Sequence, residues 1–198
     1  TDPAEREDPG RWPARLQGEF PKPEPRTHLL VASQAGPTGS CPKLLGGLVF
    51  EFYRTSRVGL LTYLAVETAQ RQQGIAGLLL SEAISILKAD AAAEGTQLRA
   101  VFGETENPAM VRDEDTAIPT RTRLGILARL GGQLVDIPYV QPQLEGGQGR
   151  ARHLLLLAFD HEGRQPDSIE GAVVFDFLHD FYRCLGVVQP EADPDFLV

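Results

Sequence analysis

Arg71-Gln72-Gln73-Gly74-Ile75-Ala76 reads R-x-x-G-x-A and joins an apolar stretch ending at Val66 to a helical pattern that starts at its glycine. The first backbone N–H groups of a helix have no partner inside it, and the macrodipole adds partial positive charge where they point. Small residues at 74 and 76 let a ligand approach those amides, which a larger side chain would block. The chemistry on offer is the holding of an anion, and a diphosphate fits it well. The same residues also suit a plain tight turn between strand and helix.

The elements that must position this loop are legible on both sides of it. Val58 to Val66 is rich in β-branched and aliphatic residues, as in a buried strand. Downstream, Ile75, Leu79, Ala83, Ile86 and Asp90 follow one line at helical spacing, and Ala76, Leu80, Ile84, Leu87 and Ala91 follow the next. Together they make a broad apolar face, with Gly95 as a C-terminal stop.

Further out, the Asp8-Pro9 step predicts a short helix from about Pro9 to Gln17, and the prolines between Gly18 and Arg26 an extended lead-in. His28 to Ser33 and Leu44 to Tyr53 read as a strand pair across the turn-rich Gly36 to Pro42. After the long helix come a strand over Leu98 to Glu104, an irregular stretch to Pro119, and a helix from Arg121 to Leu130 stopped by Gly131-Gly132. Gln133 to Val140 and Arg152 to Phe159 read as two more strands joined through Glu145 to Gly149, and Ile169 to Leu185 as an amphipathic helix ended by Gly186.

The loop resembles the acyl-CoA pyrophosphate loop of the GNAT superfamily, the acyl-CoA-dependent N-acyltransferases, whose pattern is (Q/R)-x-x-G-x-(G/A) between a central strand and a long helix. Every fixed position matches, and the order of elements from about Thr27 to Asp160 is similar to the family's. The resemblance implies an α/β (α+β) fold, a mixed and mostly antiparallel central sheet with flanking helices. It divides the chain into a lead-in over 1–26, a GNAT-like core over 27–160, and a C-terminal helix and tail over 161–198 packed on that core. The family's usual first strand and first helix have no clear counterpart here; they are missing, replaced by the Pro9 helix, or upstream of Thr1.

Carried over by residue, the amides of Gln72, Gln73, Gly74, Ile75 and Ala76 would hold the CoA diphosphate, with Arg71 at the Q/R position. The backbone of Ala65 and Val66 would pair with the pantetheine arm as an added strand, and Asn107 would stand near the thiol. The activity implied is transfer of an acetyl or short acyl group from acyl-CoA to a primary amine, by direct attack in a ternary complex, with no metal. Leu127 stands where the family often has a tyrosine as general acid for the departing thiolate.

Acyl transfer to an amine needs the amine unprotonated and the thiolate stabilised, so a carboxylate and a phenol are the natural candidates. Glu104, beside Glu106 and Asn107 at a strand end, is the candidate base; a solvated pair of acids is the other reading. Tyr139, bracketed by Pro138 and Pro142, ranks ahead of Tyr63 as the phenol, and both also suit packing. Two further readings remain: a catalytically silent GNAT-like module that binds acyl-CoA as a sensor, motivated by Leu127, and a nucleotide-binding α/β protein that uses the loop for another diphosphate.

Composition narrows the partners. A formal net charge of −8 argues against a nucleic-acid or anionic-membrane surface and points to a cationic small-molecule amine or a Lys-bearing peptide as acceptor. Cys41 and Cys184 make no disulfide framework, no apolar run approaches the ~20 residues that span a bilayer, and the N-terminus lacks signal-peptide features, so a cytoplasmic location is expected. His28, His153, His161 and His179 fall in no ligand spacing, Asp113-Glu114-Asp115 reads as a solvated loop, and Gly146 to Gly149 as a flexible connection. Phe175, Leu178, His179, Tyr182 and Leu185 form a helical stripe that suits core packing or a homodimer face.

Overall fold

Arg26–Gln34 (β1), Lys43–Tyr53 (β2) and Val58–Val66 (β3) form an antiparallel meander in the computed structural model. The structure describes residues 8, 10, 12–17, 25–37, 41–112, 118–144, 149–161 and 168–196. The lead-in at 18–24, the acidic run at 113–115 and residues 145–148 of the glycine-rich connection lie outside the described residues.

Ile75–Ala93 (α2) carries the chain from β3 to Ala100–Glu106 (β4), which lies parallel to β3, as a helical crossover allows. Leu154–Phe159 (β6) pairs antiparallel with β4 and with Gly132–Leu134 (β5), giving six strands in the order β1-β2-β3-β4-β6-β5.

Strand alternation sorts the core into two layers. Leu48, Phe50 and Phe52 of β2, with Val101, Leu157 and Phe159, lie under Ile75, Leu79, Ala83 and Leu87 of α2. Thr120–Arg129 (α3) joins that face through Leu124 and Leu127. On the opposite face Tyr53, Val58, Leu60, Phe102, Leu154 and Leu156 receive Gly171–Cys184 (α4) through Val173, Val174, Phe177, Leu178, Phe181 and Tyr182. Phe102 stacks on Phe177 at 4.6 Å between ring centroids. Leu178 and Tyr182 of the amphipathic stripe are therefore core residues, while Phe175 stays at the surface.

Several boundaries differ by two residues or more from the sequence expectation. The first helix is described over Trp12–Gln17 (α1), and Pro9 and Arg11 of its expected start lie outside the described residues. The strand expected from Leu98 starts at Ala100 and runs on to Glu106. The strand expected over Gln133 to Val140 ends at Leu134: the Val135 amide still reaches Leu156 O at 3.0 Å, but the Ile137 amide turns back to Val135 O at 2.9 Å. Pro138 and Pro142 have no N–H to give a ladder, so the chain rejoins only through an isolated Gln141–Ala151 bridge.

Register reveals a feature that opens the sheet. Val49 pairs with Tyr63 but Phe50 pairs with Leu61, so Thr62 is an extra residue in β3, its Oγ1 donating to Val49 O at 2.9 Å. Such a bulge bends its strand. The β3–β4 pairing runs from Val58–Ala100 only to Leu61–Gly103, and past that point the two strands part.

Close strand–helix contact depends on Gly59, where an added Cβ would overlap Leu87 Cδ1 and lie 3.0 Å from Cδ2, with Leu87 fully buried. Gly59→Ala is expected to lower the unfolding free energy by about 1–3 kcal/mol in urea. Gly171→Ala, with nothing within 4 Å of the new Cβ, should stay within about 0.5 kcal/mol of the parent. Equal effects at the two sites would contradict this packing.

Candidate functional site

Beyond the splay, β3 ends in one turn of 3-10 helix, Thr68–Gln70, whose entry is anchored by the Glu67 amide on Leu45 O at 2.8 Å. Gln72 and Gly74 then both take left-handed backbone, at φ 63° and 81°. Glycine adopts this freely, and a glutamine does so only under constraint from its surroundings. Turns of this kind aim successive N–H groups into one concavity.

No described residue accepts a hydrogen bond from the amides of Gln72, Gln73, Gly74, Ile75, Ala76 or Gly77, and the Gly74 cap has no side-chain bond. The first turn of α2 carries no acidic residue, and a Cβ at Gly74 would meet nothing within 4 Å. The donors are thus unspent, unopposed by negative charge and open to the outside, which fits a diphosphate-bearing group. Arg71 folds back so that its Nε donates to Val66 O at 3.3 Å.

Ala65 and Val66 pair on one edge with Gly47 and Gly46 of β2, and their other edge faces the splay. A Cβ at Gly46 would stand 2.7 Å from Ala65 O, so only glycine lets β2 lie flush against this end of β3.

Glu104 is the first β4 residue past the last β3–β4 pair. Its Oε1 accepts from Tyr139 Oη, and Gln141 Nε2 donates to both carboxylate oxygens at 3.0 and 2.9 Å. The structure therefore brings the two residues named from sequence, Glu104 and Tyr139, into direct contact and adds Gln141, which sequence reasoning missed. Its signal was its place beside Tyr139 in the proline-bracketed segment. Burial first, and then the Glu104 charge, hold the Tyr139 phenol well above its ordinary pKa, so it stays protonated and donates. Two buried polar atoms nearby in the chain, Gln141 Oε1 and Thr105 Oγ1, have no hydrogen-bond partner.

No protein-family model matches this chain, and no curated protein does. Solved structures do. One, a protein of Bacteroides thetaiotaomicron assigned as a GNAT-family acetyltransferase, superposes with a TM-score of 0.59 over 96% of this chain and 86% of its own, at 14% identity. The chain has the GNAT fold. Arabidopsis thaliana NAA60 with a bisubstrate analogue also matches, at TM-score 0.46 and 14% identity over 67% of this chain and 74% of its own. So does an aminoglycoside 6′-N-acetyltransferase complexed with coenzyme A, at TM-score 0.45 and 16% identity over 76% and 79%.

Other residues named from sequence occupy definite places on this GNAT fold. Glu106 is buried and ion-paired with Arg123 of α3 at 2.7 Å, and Glu104 is half-buried in its own bonds, so a solvated acid pair is excluded. Asn107 donates its amide to His153 O at 2.7 Å, and its Oδ1 accepts from the Ala109 amide at 2.9 Å in a local turn. Leu127 is packed beneath the sheet on the α2 side, and Tyr63 lies against Trp12 with ring centroids 5.5 Å apart and the planes tilted by 41°. Among the described residues no group of three or more His, Cys, Asp or Glu could hold a metal, and no helix is long and apolar enough to cross a membrane.

A second buried carboxylate, also missed, is Glu51 on β2. It accepts from Tyr53 Oη at 2.8 Å and Thr27 Oγ1 at 3.4 Å and lies 3.7 Å from Arg15. Register puts it on the same face as Tyr63, through Val49. Burial and then Glu51 raise the Tyr53 phenol as well.

A phenol held up in the folded state contributes stability that is present below its ordinary range. That contribution fades as pH rises from the ordinary value toward the raised folded one, because over that window only the unfolded chain releases the proton. Unfolding free energy should therefore fall from about pH 9 to about pH 11. Tyr139→Phe should show a shallower fall. An identical slope in urea titrations of the two proteins would refute the protonated Tyr139–Glu104 pair.

Proposed function

We propose that this protein transfers an acetyl or other short acyl group from acyl-CoA to a primary amine, by direct attack within a ternary complex. The observation that carries the reading is a coincidence in one splay. The unspent amides of Gln72 to Gly77 lie at its mouth, and the Glu104–Tyr139–Gln141 group lies where β4 leaves β3. The shared fold of an assigned acetyltransferase supports it.

The bound acyl-CoA supplies a thioester carbonyl. Arg71, once it leaves Val66 O, and the amides of Gln72 to Ala76 bind its diphosphate, the edge of Ala65 and Val66 so opened orients the pantetheine arm, and Asn107 flanks the thiol region. Glu104 takes the proton that the amine sheds as the new C–N bond forms and the C–S bond breaks. Tyr139 gives its proton to the leaving sulfur and is refilled from Glu104 through their hydrogen bond, which restores the starting state. The negative balance of the chain favours a cationic small-molecule amine or a Lys-bearing peptide as acceptor, acting in a reducing cytoplasm.

A thermal-shift panel of acetyl-CoA, longer acyl-CoAs, CoA, ATP and NAD tests the binding half. Acetyl-CoA and CoA should stabilise the parent, and Gly74→Glu, which adds bulk and negative charge, should abolish the shift. Protection by ATP or NAD without acetyl-CoA would assign the loop to another diphosphate. Thiol release across an amine panel tests the chemistry: Glu104→Gln should lower kcat about a hundredfold or more. CoA protection with no thiol release on any amine would instead favour a silent acyl-CoA sensor, the reading motivated by Leu127 at the family's usual tyrosine position.

A further inference from the structure

Tyr139 and Gln141 must meet one carboxylate, yet the segment that carries them is outside the ladder, flanked by Pro138 and Pro142. A chain so poorly held by its own backbone needs another source of placement. Among the described residues, its amide–carbonyl exchange with the rest of the protein is the bridge at Gln141, N to Ala151 O at 3.0 Å and O from the Ala151 amide at 3.1 Å.

Tyr139 packs into the apolar layer with Phe102 and Leu156, and a further, polar hold comes from the C-terminal part of the chain. Tyr182 of α4 is 1% exposed and donates to Val140 O at 2.7 Å, the carbonyl between the two residues that touch Glu104. The same hydroxyl lies 3.2 Å from Asp195 O. Opposite Gln141, Ala151 is flanked by two arginines that the tail grips. Arg150 forks onto both oxygens of Asp193 at 2.6 Å each and reaches Asp195 at 2.7 Å. Arg152 meets Asp195 at 2.6 and 2.7 Å. Forked guanidinium–carboxylate pairs fix direction as well as distance. Phe196 packs edge-on against the Tyr182 ring at 5.3 Å. Both sides of the Gln141–Ala151 ribbon are thus tied to α4 and its tail.

We infer that Tyr182 is a positioning residue for acyl transfer: its hydroxyl, backed by the Arg150–Asp193–Asp195 clamp, holds residues 139–141 so that Tyr139 and Gln141 address Glu104. This rests on the acyl-transfer reading of Glu104 and Tyr139. Burial pushes the Tyr182 phenol up to about 12, so the donor is not lost in the neutral range.

Tyr182→Phe keeps the ring on Phe196 and removes only the hydroxyl. It is expected to lower kcat about tenfold while KM for acetyl-CoA stays within about twofold, because the loop at 72–77 is untouched. Arg150→Gln should act in the same direction. A folded Tyr182→Phe with the parent's kcat would overturn the inference, and if that variant does not fold, an unchanged kcat in Arg150→Gln would do so. A parent that releases no thiol with any amine would fail the acyl-transfer reading and leave the geometry to an activity-free measurement. Alkaline absorbance titration, with Tyr139→Phe variants to isolate the Tyr139 signal, should show that phenol ionising at lower pH once Tyr182 is Phe. No shift would refute the positioning role.

Discussion

β3 and β4 share only four residue pairs before they separate, and the rest of the site depends on that short contact. Backbone polar groups in the middle of a sheet normally find a partner on either side, because leaving them unpaired and buried is costly. Here the extra residue Thr62 bends β3 away, while β4 keeps its pairing with β6 on its other edge through Glu106. Two strand edges therefore face each other across a gap. The gap places the start of α2 at one end and Glu104 at the other, so neither the loop nor the carboxylate has its meaning without it.

The face opposite α2 concentrates acids and phenols rather than hiding them singly. Glu104 with Tyr139, and Glu51 with Tyr53, are both carboxylates that accept from buried tyrosines. A buried carboxylate needs such donors, since desolvation alone would disfavour its charge. α4 closes this face with Phe177, Phe181 and Tyr182 and brings a third acid, Asp180, which takes both the amide and the hydroxyl of Ser56 at 3.1 and 3.0 Å. The C-terminal helix is therefore both a lid on the core and a source of polar ties at its margin.

What could be read in advance were features whose cause is local. The glycine at 74 is required by its own backbone angle, and the long apolar face of α2 by helical spacing, so both were visible in the residues themselves. The meander and the crossover helix are legible for the same reason, whereas Glu104 and Tyr139 can be named only one at a time, since their contact spans 35 residues of chain. The bulge at Thr62 is not legible, because it is a property of the register between two strands. Tyr182 reads as a packing residue of its helix, but its bond to Val140, like that of Gln141 to Glu104, is not legible because the two span 42 and 37 residues of chain. The strand expected to run to Val140 stopped early because alternation predicts a face but not whether a proline-rich segment has amides to pair.

The central claim, that the loop at 72–77 and the free edge at the end of β3 hold the CoA moiety, is tested most directly by following backbone amide resonances as CoA is added. The account predicts that the largest shifts fall on Gln72 to Gly77, with a second group at Leu64 to Val66. Shifts centred elsewhere, with these amides unmoved at saturation, would contradict it.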